Sequence, residues 1–174
     1  MRLRKGTMQD VDGLAELYDE LTDYLERHVN YPCWKKGEYP TRREAERGAA
    51  EGTLLVAEEN GSLAGGLMLN HETVDAYRQV DWGAELDDGE VLILHTFAVR
   101  PAFSGRGVGE RLLAYALGFA AGQGKRAVRL DVQKENTPAI HVYERAGFRR
   151  CGTVLIAYSE MERALPFFLY EKLL

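Results

Sequence analysis

Apolar residues recur along this chain with two distinct periods. After a short strand pattern in "MRLRK", Val11, Leu14, Leu17, Tyr18, Leu21 and Leu25 follow at helical spacing, with Thr7 and Asp10 ahead of them in capping-box relation. The segment 28–40, "HVNYPCWKKGEYP", has aromatic rings and two prolines but no period, which predicts an irregular loop packing its rings on something. "TRREAERGAAEG" opens with Thr41 three residues before Glu44, so a second helix follows. "TLLVAEENGSLAGGLML" predicts two strands around the hairpin dipeptide Asn60-Gly61, and "DDGEVLILHTFAV" predicts a long apolar strand over 90–99. Val108, Leu112, Leu113, Ala116, Leu117 and Ala120 then form one stripe of a helix ending near Gly122 and Gly124. "RAVRLDV" returns as a strand. "NTPAIHVYERAGF" predicts a helix with Pro138 in its first turn and Gly147 as its stop, and the rest, to "LPFFLYEKLL", reads as two closing strands.

This order of elements predicts an α/β (α+β) protein with most strands in one sheet and helices against it. With 174 residues, no internal repeat and no Pro/Gly/Ser-rich linker, one domain over 1–174 is expected. Composition narrows the chemistry. Against 22 basic residues stand 27 acidic ones, a net charge of −5, which argues against a nucleic-acid binder that works by phosphate neutralisation. No run approaches the roughly 18 apolar residues that cross a bilayer, and "MRLRKGTMQD" lacks the apolar centre of a signal peptide, so no membrane partner and a cytoplasmic location are expected. Cys33 and Cys151 lie in no CxxC pair and are expected as thiols. His28, His71, His95 and His141 are scattered without metal-ligand spacing, so no metal is expected.

The candidate chemistry begins at "VRPAFSGRGVGERLL", 99–113, with Gly105, Gly107 and Gly109 at alternate positions before the helical stripe. A plain strand-to-helix turn needing positive φ accounts for the glycines by itself. A Walker A loop would end in Gly-Lys-Ser/Thr, but Glu110 and Arg111 follow Gly109. A dinucleotide fingerprint would use Asp131 as a ribose-binding acid, yet Glu110 stands where its third glycine belongs. An anion seat made of backbone N–H groups at a helix N-terminus remains, with Arg100, Arg106 and Arg111 adding positive charge nearby.

At this point the sequence resembles the GNAT family of N-acetyltransferases, whose signature Arg/Gln-x-x-Gly-x-Gly/Ala holds the pyrophosphate of acetyl-CoA. "SGRGVG" matches at Gly107 and Gly109 and places Ser104 at the usual Arg/Gln position, a weakened phosphate contact for which Arg106 would compensate. The resemblance spans nearly the whole chain in order and includes "LHTFAVRP" and "NTPAIHVYERAGF". It implies a GNAT fold: a mixed sheet of about six to seven strands, about four flanking helices, and parallel strands splayed at the acetyl-CoA site. It also implies cofactor contacts from the backbone of Phe97, Ala98 and Val99, from the loop residues Ser104, Gly105, Arg106, Gly107, Val108 and Gly109, and from Asn136 and Ala139. Asn136 and Tyr143 lie two helical turns apart on one face with Ala139 between them, and by the resemblance Tyr143 meets the sulfur.

Acetyl transfer needs a neutral amine, donors for the developing oxyanion and a fate for the thiolate. By the resemblance, backbone near Phe97 to Val99 polarises the carbonyl and Tyr143 protonates the thiolate. His95, just before that segment, is the first candidate to take the amine's proton, against the alternative of a packed strand histidine; Glu72, Glu85 and Glu90 are the other candidates, against the alternative of solvated surface acids. For the acceptor, 30–40 and 70–90 supply rings and acids; Trp34, Tyr39, Glu72, Trp82 and Glu85 are the candidates, with simple cover of the core as the competing account. The implied enzyme transfers acetyl from acetyl-CoA to a small-molecule or peptide amine by direct attack in a ternary complex. Members of the family are often dimers, which leaves a homodimer open. The alternatives are a non-catalytic acyl-CoA-binding or regulatory module on the same fold, and a nucleotide-binding oxidoreductase.

Overall fold

A computed structural model describes residues 1–159 and 161–174. Seven strands and four helices appear where the two periods place them: β1 (Arg2–Lys5), α1 (Val11–Arg27), α2 (Arg42–Glu51), β2 (Leu54–Glu59), β3 (Ser62–Asn70), β4 (Val91–Val99), α3 (Val108–Gly122), β5 (Ala127–Gln133), α4 (Thr137–Arg145), β6 (Arg149–Ile156) and β7 (Leu165–Leu173). The strands form one mixed sheet in the order β1-β2-β3-β4-β5-β7-β6. Its parallel pair, β4 with β5, is registered at Val91↔Ala127, Leu92↔Val128 and Ile93↔Arg129, and the ladder ends there although both strands continue. Among the described residues no helix is long and apolar enough to cross a membrane.

Backbone proximity divides the chain into two compact units. The first comprises Met1–Asn30, Trp34–Leu69 and His95–Ala116. Its core takes Val11, Leu14, Leu17 and Tyr18 from one face of α1, Ala45 from α2, and Leu54, Val56, Leu63, Met68 and Ala98 from the strands. The i, i+3, i+4 spacing read from the sequence is what brings those α1 side chains to one side. At the head of α1, the Asp10 carboxylate accepts from the Thr7 N–H at 2.8 Å and from both terminal nitrogens of Arg4, at 2.7 and 2.8 Å. Arg4 and then the Thr7 N–H hold that carboxyl below its ordinary range against the opposing effect of burial. Thr41 begins α2 with its N–H on Glu44 Oε2 at 2.7 Å and its hydroxyl accepting from the Arg43 N–H at 3.3 Å. The β2–β3 hairpin turns at Asn60 (φ +53°) and Gly61 (φ +78°), the pair of left-handed conformations that a tight two-residue turn requires.

The second unit comprises Tyr31–Cys33, Asn70–Leu94 and Leu117–Leu174. Val91, Ile93, Ala127, Val154, Ile156, Phe167 and Leu169 alternate inward from its strands, and Ala76 and Tyr77 close over them from a short 3-10 turn, Asp75–Gln79. β7 runs antiparallel to both β5 and β6, so the last strand of the chain lies between them. Cys33 and Cys151 are both thiols.

Candidate active site

The glycine loop lies in the first unit, between β4 and α3. Pro101 opens a 3-10 turn, Pro101–Phe103, closed by the Phe103 N–H on the Arg100 carbonyl at 2.9 Å and the Ser104 N–H on the Pro101 carbonyl at 3.0 Å. Gly105 and Gly107 then take φ of +72° and +74°, while a Cβ built on either meets no heavy atom within 4 Å. Backbone conformation, and not crowding, is what asks for glycine at both positions. Gly109 differs: its backbone is ordinary, and an added Cβ would lie 3.4 Å from the Phe97 ring. The first turn of a helix leaves N–H groups without intrahelical partners, and α3 is long enough for its dipole to reinforce them.

The charge around this loop is less than the sequence suggests. Arg106 is half-exposed, sits over the Phe103 ring at 4.9 Å and pairs with Glu59 at 3.2 Å. Arg100 is turned away: Nε donates to the Leu63 carbonyl at 2.9 Å, Nη1 to Glu20 at 2.7 Å and Nη2 to the Gly13 carbonyl at 3.2 Å. Its guanidinium fastens α1 to β3 and β4. Ser104 is exposed at the head of the loop.

On β4, His95 is half-buried and Thr96 is buried. Thr96 has φ of +50° in the interior of the strand, a conformation that costs a β-branched residue roughly 1–3 kcal/mol. Its Oγ1 lies 2.6 Å from the Tyr39 hydroxyl. Tyr39 and Trp34 meet edge to face, with ring centroids 5.8 Å apart. Trp34 is pinned in turn, because Asn30 accepts from its N–H at 3.0 Å and donates to its carbonyl at 2.7 Å. The period-free segment 28–40 thus does lay rings down.

The remaining candidates on α4 lie in the second unit. Asn136 caps α4, its side chain accepting from the Ala139 N–H at 3.4 Å. Tyr143 is 5% exposed and meets the Phe148 ring edge-on at 5.8 Å. Burial first, and then the Asp131 charge, push its phenol well above the ordinary range. Asp131 Oδ2 accepts from two further phenols, Tyr77 and Tyr158, each at 2.9 Å. The sequence points to Asp131 only as a ribose-binding acid; its tyrosine partners come from the tertiary structure. Strand alternation in "RLDVQ" was the available signal, since Arg129 and Asp131 share one face while Leu130 and Val132 turn to the other.

Among the acceptor candidates, Trp82 is half-buried, donates its indole N–H to the Tyr77 carbonyl at 3.0 Å and carries the Arg129 guanidinium over its ring at 4.2 Å. Arg129 Nε also bonds Glu171 at 2.9 Å, and the other Glu171 oxygen accepts from the Gly83 N–H at 2.7 Å. Glu72 and Glu85 are exposed, Glu72 with its N–H on the Asn70 side chain at 2.9 Å.

Comparison with known proteins adds three observations. The model described as "Acetyltransferase (GNAT) family" matches residues 14–148. An uncharacterized N-acetyltransferase of Methanocaldococcus jannaschii is 31% identical over 147 residues, 84% of this chain and 59% of that one, and a mycothiol acetyltransferase of Cellulomonas flavigena is 35% identical over 112 residues, 62% of this chain and 30% of that one. The chain thus spans less than two thirds of the length of these curated relatives. A Salmonella typhimurium structure that contains its cofactor acetyl-CoA shares the fold with a TM-score of 0.72 at 19% identity, covering 99% of this chain and 92% of that one.

Proposed function

Because the chain belongs to the acetyltransferase (GNAT) family, we propose that it is an enzyme moving an acetyl group from acetyl-CoA to a primary amine, both bound at once, with residues 1–174 acting as one catalytic domain. The observation that carries this reading is the left-handed pair Gly105 and Gly107 running into the N-terminus of α3. Such a turn aims successive N–H groups at an anion, which suits a pyrophosphate. Acetyl-CoA supplies the acetyl group on an activated thioester, whose sulfur departs as a thiolate.

In this reading Ser104, Gly105, Arg106, Gly107, Val108 and Gly109 hold the pyrophosphate, chiefly through backbone. Phe97, Ala98 and Val99 present backbone to the pantetheine and to the reacting carbonyl, and Asn136 and Ala139 complete the cofactor side. Tyr143 gives its proton to the departing sulfur. From a phenol of pKa about 10 to a thiol of about 8.5 that transfer is uphill by roughly 2 kcal/mol, and burial beside Asp131 raises the step further. Tyr143 therefore stays protonated until a thiolate forms, and its contribution is moderate. His95 takes the amine's proton, with Glu72, Glu85 and Glu90 as the alternatives for that task. Trp34, Trp82, Glu72 and Glu85 face the acceptor, where rings and carboxylates suit a cationic amine before it is deprotonated.

A second reading, an acyl-CoA-binding module without catalysis, is favoured by one observation, the near-complete burial of Tyr143 against Phe148. Thiol release on mixing acetyl-CoA with a panel of polyamines, amino acids and free peptide N-termini separates the two. Saturable release matched by acetylated amine is expected for one class. Tight acetyl-CoA binding with release no faster than the uncatalysed rate on every amine selects the second reading, and absence of acetyl-CoA binding overturns both.

A further inference from the structure

The left-handed conformation of Thr96 needs a cause inside the first unit. A threonine with φ of +50° in mid-strand is an outlier for a branched side chain, and nothing in "LHTFAV" requires it. Such a residue breaks the alternation of a strand as a bulge does, so the peptide groups after it no longer point where a regular ladder would send them. Those are the peptide groups of Phe97 and Ala98, to which acetyl transfer assigns the reacting carbonyl. The Thr96 side chain has a hydrogen-bond partner far away in sequence: the Tyr39 hydroxyl, at 2.6 Å and 57 positions distant. Both ends of that bond are held. Thr96 is 5% exposed. Tyr39 exchanges backbone hydrogen bonds with Lys35, its N–H on the Lys35 carbonyl at 3.0 Å and its carbonyl accepting from the Lys35 N–H at 3.1 Å, and its ring is braced by Trp34.

We propose that Tyr39 is a positioning residue: its hydroxyl holds Thr96 in the left-handed conformation and thereby aims the peptide N–H groups that follow Thr96 at the thioester oxygen. This rests on the acetyl-transfer reading and changes what Tyr39 does within it. The ring belongs to the loop expected to meet the acceptor, yet the hydroxyl acts on the cofactor side, through Thr96.

Four variants test the proposal: Tyr39→Phe, Thr96→Val, Thr96→Gly, and Tyr39→Phe combined with Thr96→Gly. Full loss of an oxyanion donor costs about 10²- to 10³-fold in kcat, so a donor that is misaimed but retained is expected to cost about 10-fold. Tyr39→Phe and Thr96→Val should each show that loss, with KM for acetyl-CoA within about twofold of wild type. Thr96→Gly should retain more activity than Thr96→Val, because glycine enters φ of +50° without a tether. In the Thr96→Gly background, Tyr39→Phe should then change kcat by less than about twofold. An undiminished loss in that background would mean that Tyr39 acts directly on substrate, and Thr96→Gly falling below Thr96→Val would mean that the Thr96 side chain matters for packing; either overturns the proposal. Amide hydrogen exchange at residues 96–98 gives a readout independent of turnover. Tyr39→Phe should speed it in the wild-type background and leave it unchanged in the Thr96→Gly background. If wild type acetylates no amine, the acetyl-transfer reading fails on its own, and unchanged exchange in Tyr39→Phe overturns the tether separately.

Discussion

Replacing Arg129 with leucine should be among the most damaging single changes in the second unit. The Glu171 carboxylate is 3% exposed and has two hydrogen-bond donors, Arg129 Nε at 2.9 Å and the Gly83 N–H at 2.7 Å. Arg129→Leu removes the first and leaves a buried charge on one neutral donor. Breaking a buried pair from one side costs about 3–5 kcal/mol. Loss of the guanidinium from the Trp82 face, at 4.2 Å, adds a smaller amount, about 0.5–2 kcal/mol. For a chain of this length each kcal/mol moves Tm by about 2–4 °C, so the first effect alone should lower Tm by roughly 6–20 °C in a calorimetric scan. The double variant Arg129→Leu/Glu171→Leu no longer buries a charge; it shares the lost Trp82 contact with the single variant and adds only the cost of a Gly83 N–H without its acceptor, about 1–3 kcal/mol. It should therefore melt above the single variant. A single variant within about 3 °C of wild type, or a double variant that melts lower still, would refute the claim that the two side chains act as a buried pair pinning the segment around Trp82.

Tyr143→Phe should reduce kcat about 10²-fold, near the bottom of the range for a general acid, because the wild-type proton transfer is already uphill; unchanged single-turnover chemistry would remove Tyr143 from the mechanism. His95→Ala should abolish the acid limb of the kcat/KM pH profile while leaving acetyl-CoA binding intact; persistence of that limb would remove His95 from the mechanism and pass the base role to Glu72, Glu85 or Glu90. Asp10 carries a folded-state pKa depressed chiefly by Arg4, so its stabilising effect is complete above the unfolded value of about 3.9 and is lost as pH falls through the depressed one. Thermal scans should therefore show Asp10→Asn clearly below wild type at pH 7, with the two curves converging in strong acid.

The helices and strands were legible because they depend on local pattern. Helical spacing from Val11 to Leu25, alternation in "RAVRLDV", the Asn60-Gly61 turn and the stop at Gly147 each act within a few residues, and the observed elements follow them. The glycine loop was legible for the same reason, since Gly105 and Gly107 answer a demand made by their own φ angles. Tertiary structure decided which polar side chains meet. The Tyr39 hydroxyl finds Thr96 across 57 positions, Tyr77 finds Asp131 across 54 and Tyr158 finds it across 27. Arg100, adjacent in sequence to the glycine loop, instead bonds Leu63, Glu20 and Gly13. Period and turn chemistry specify where a chain bends and which face it buries. The partner of a buried hydroxyl, carboxylate or guanidinium is set by the order in which strands pair, and that order, with β7 lying between β5 and β6, has no local signature.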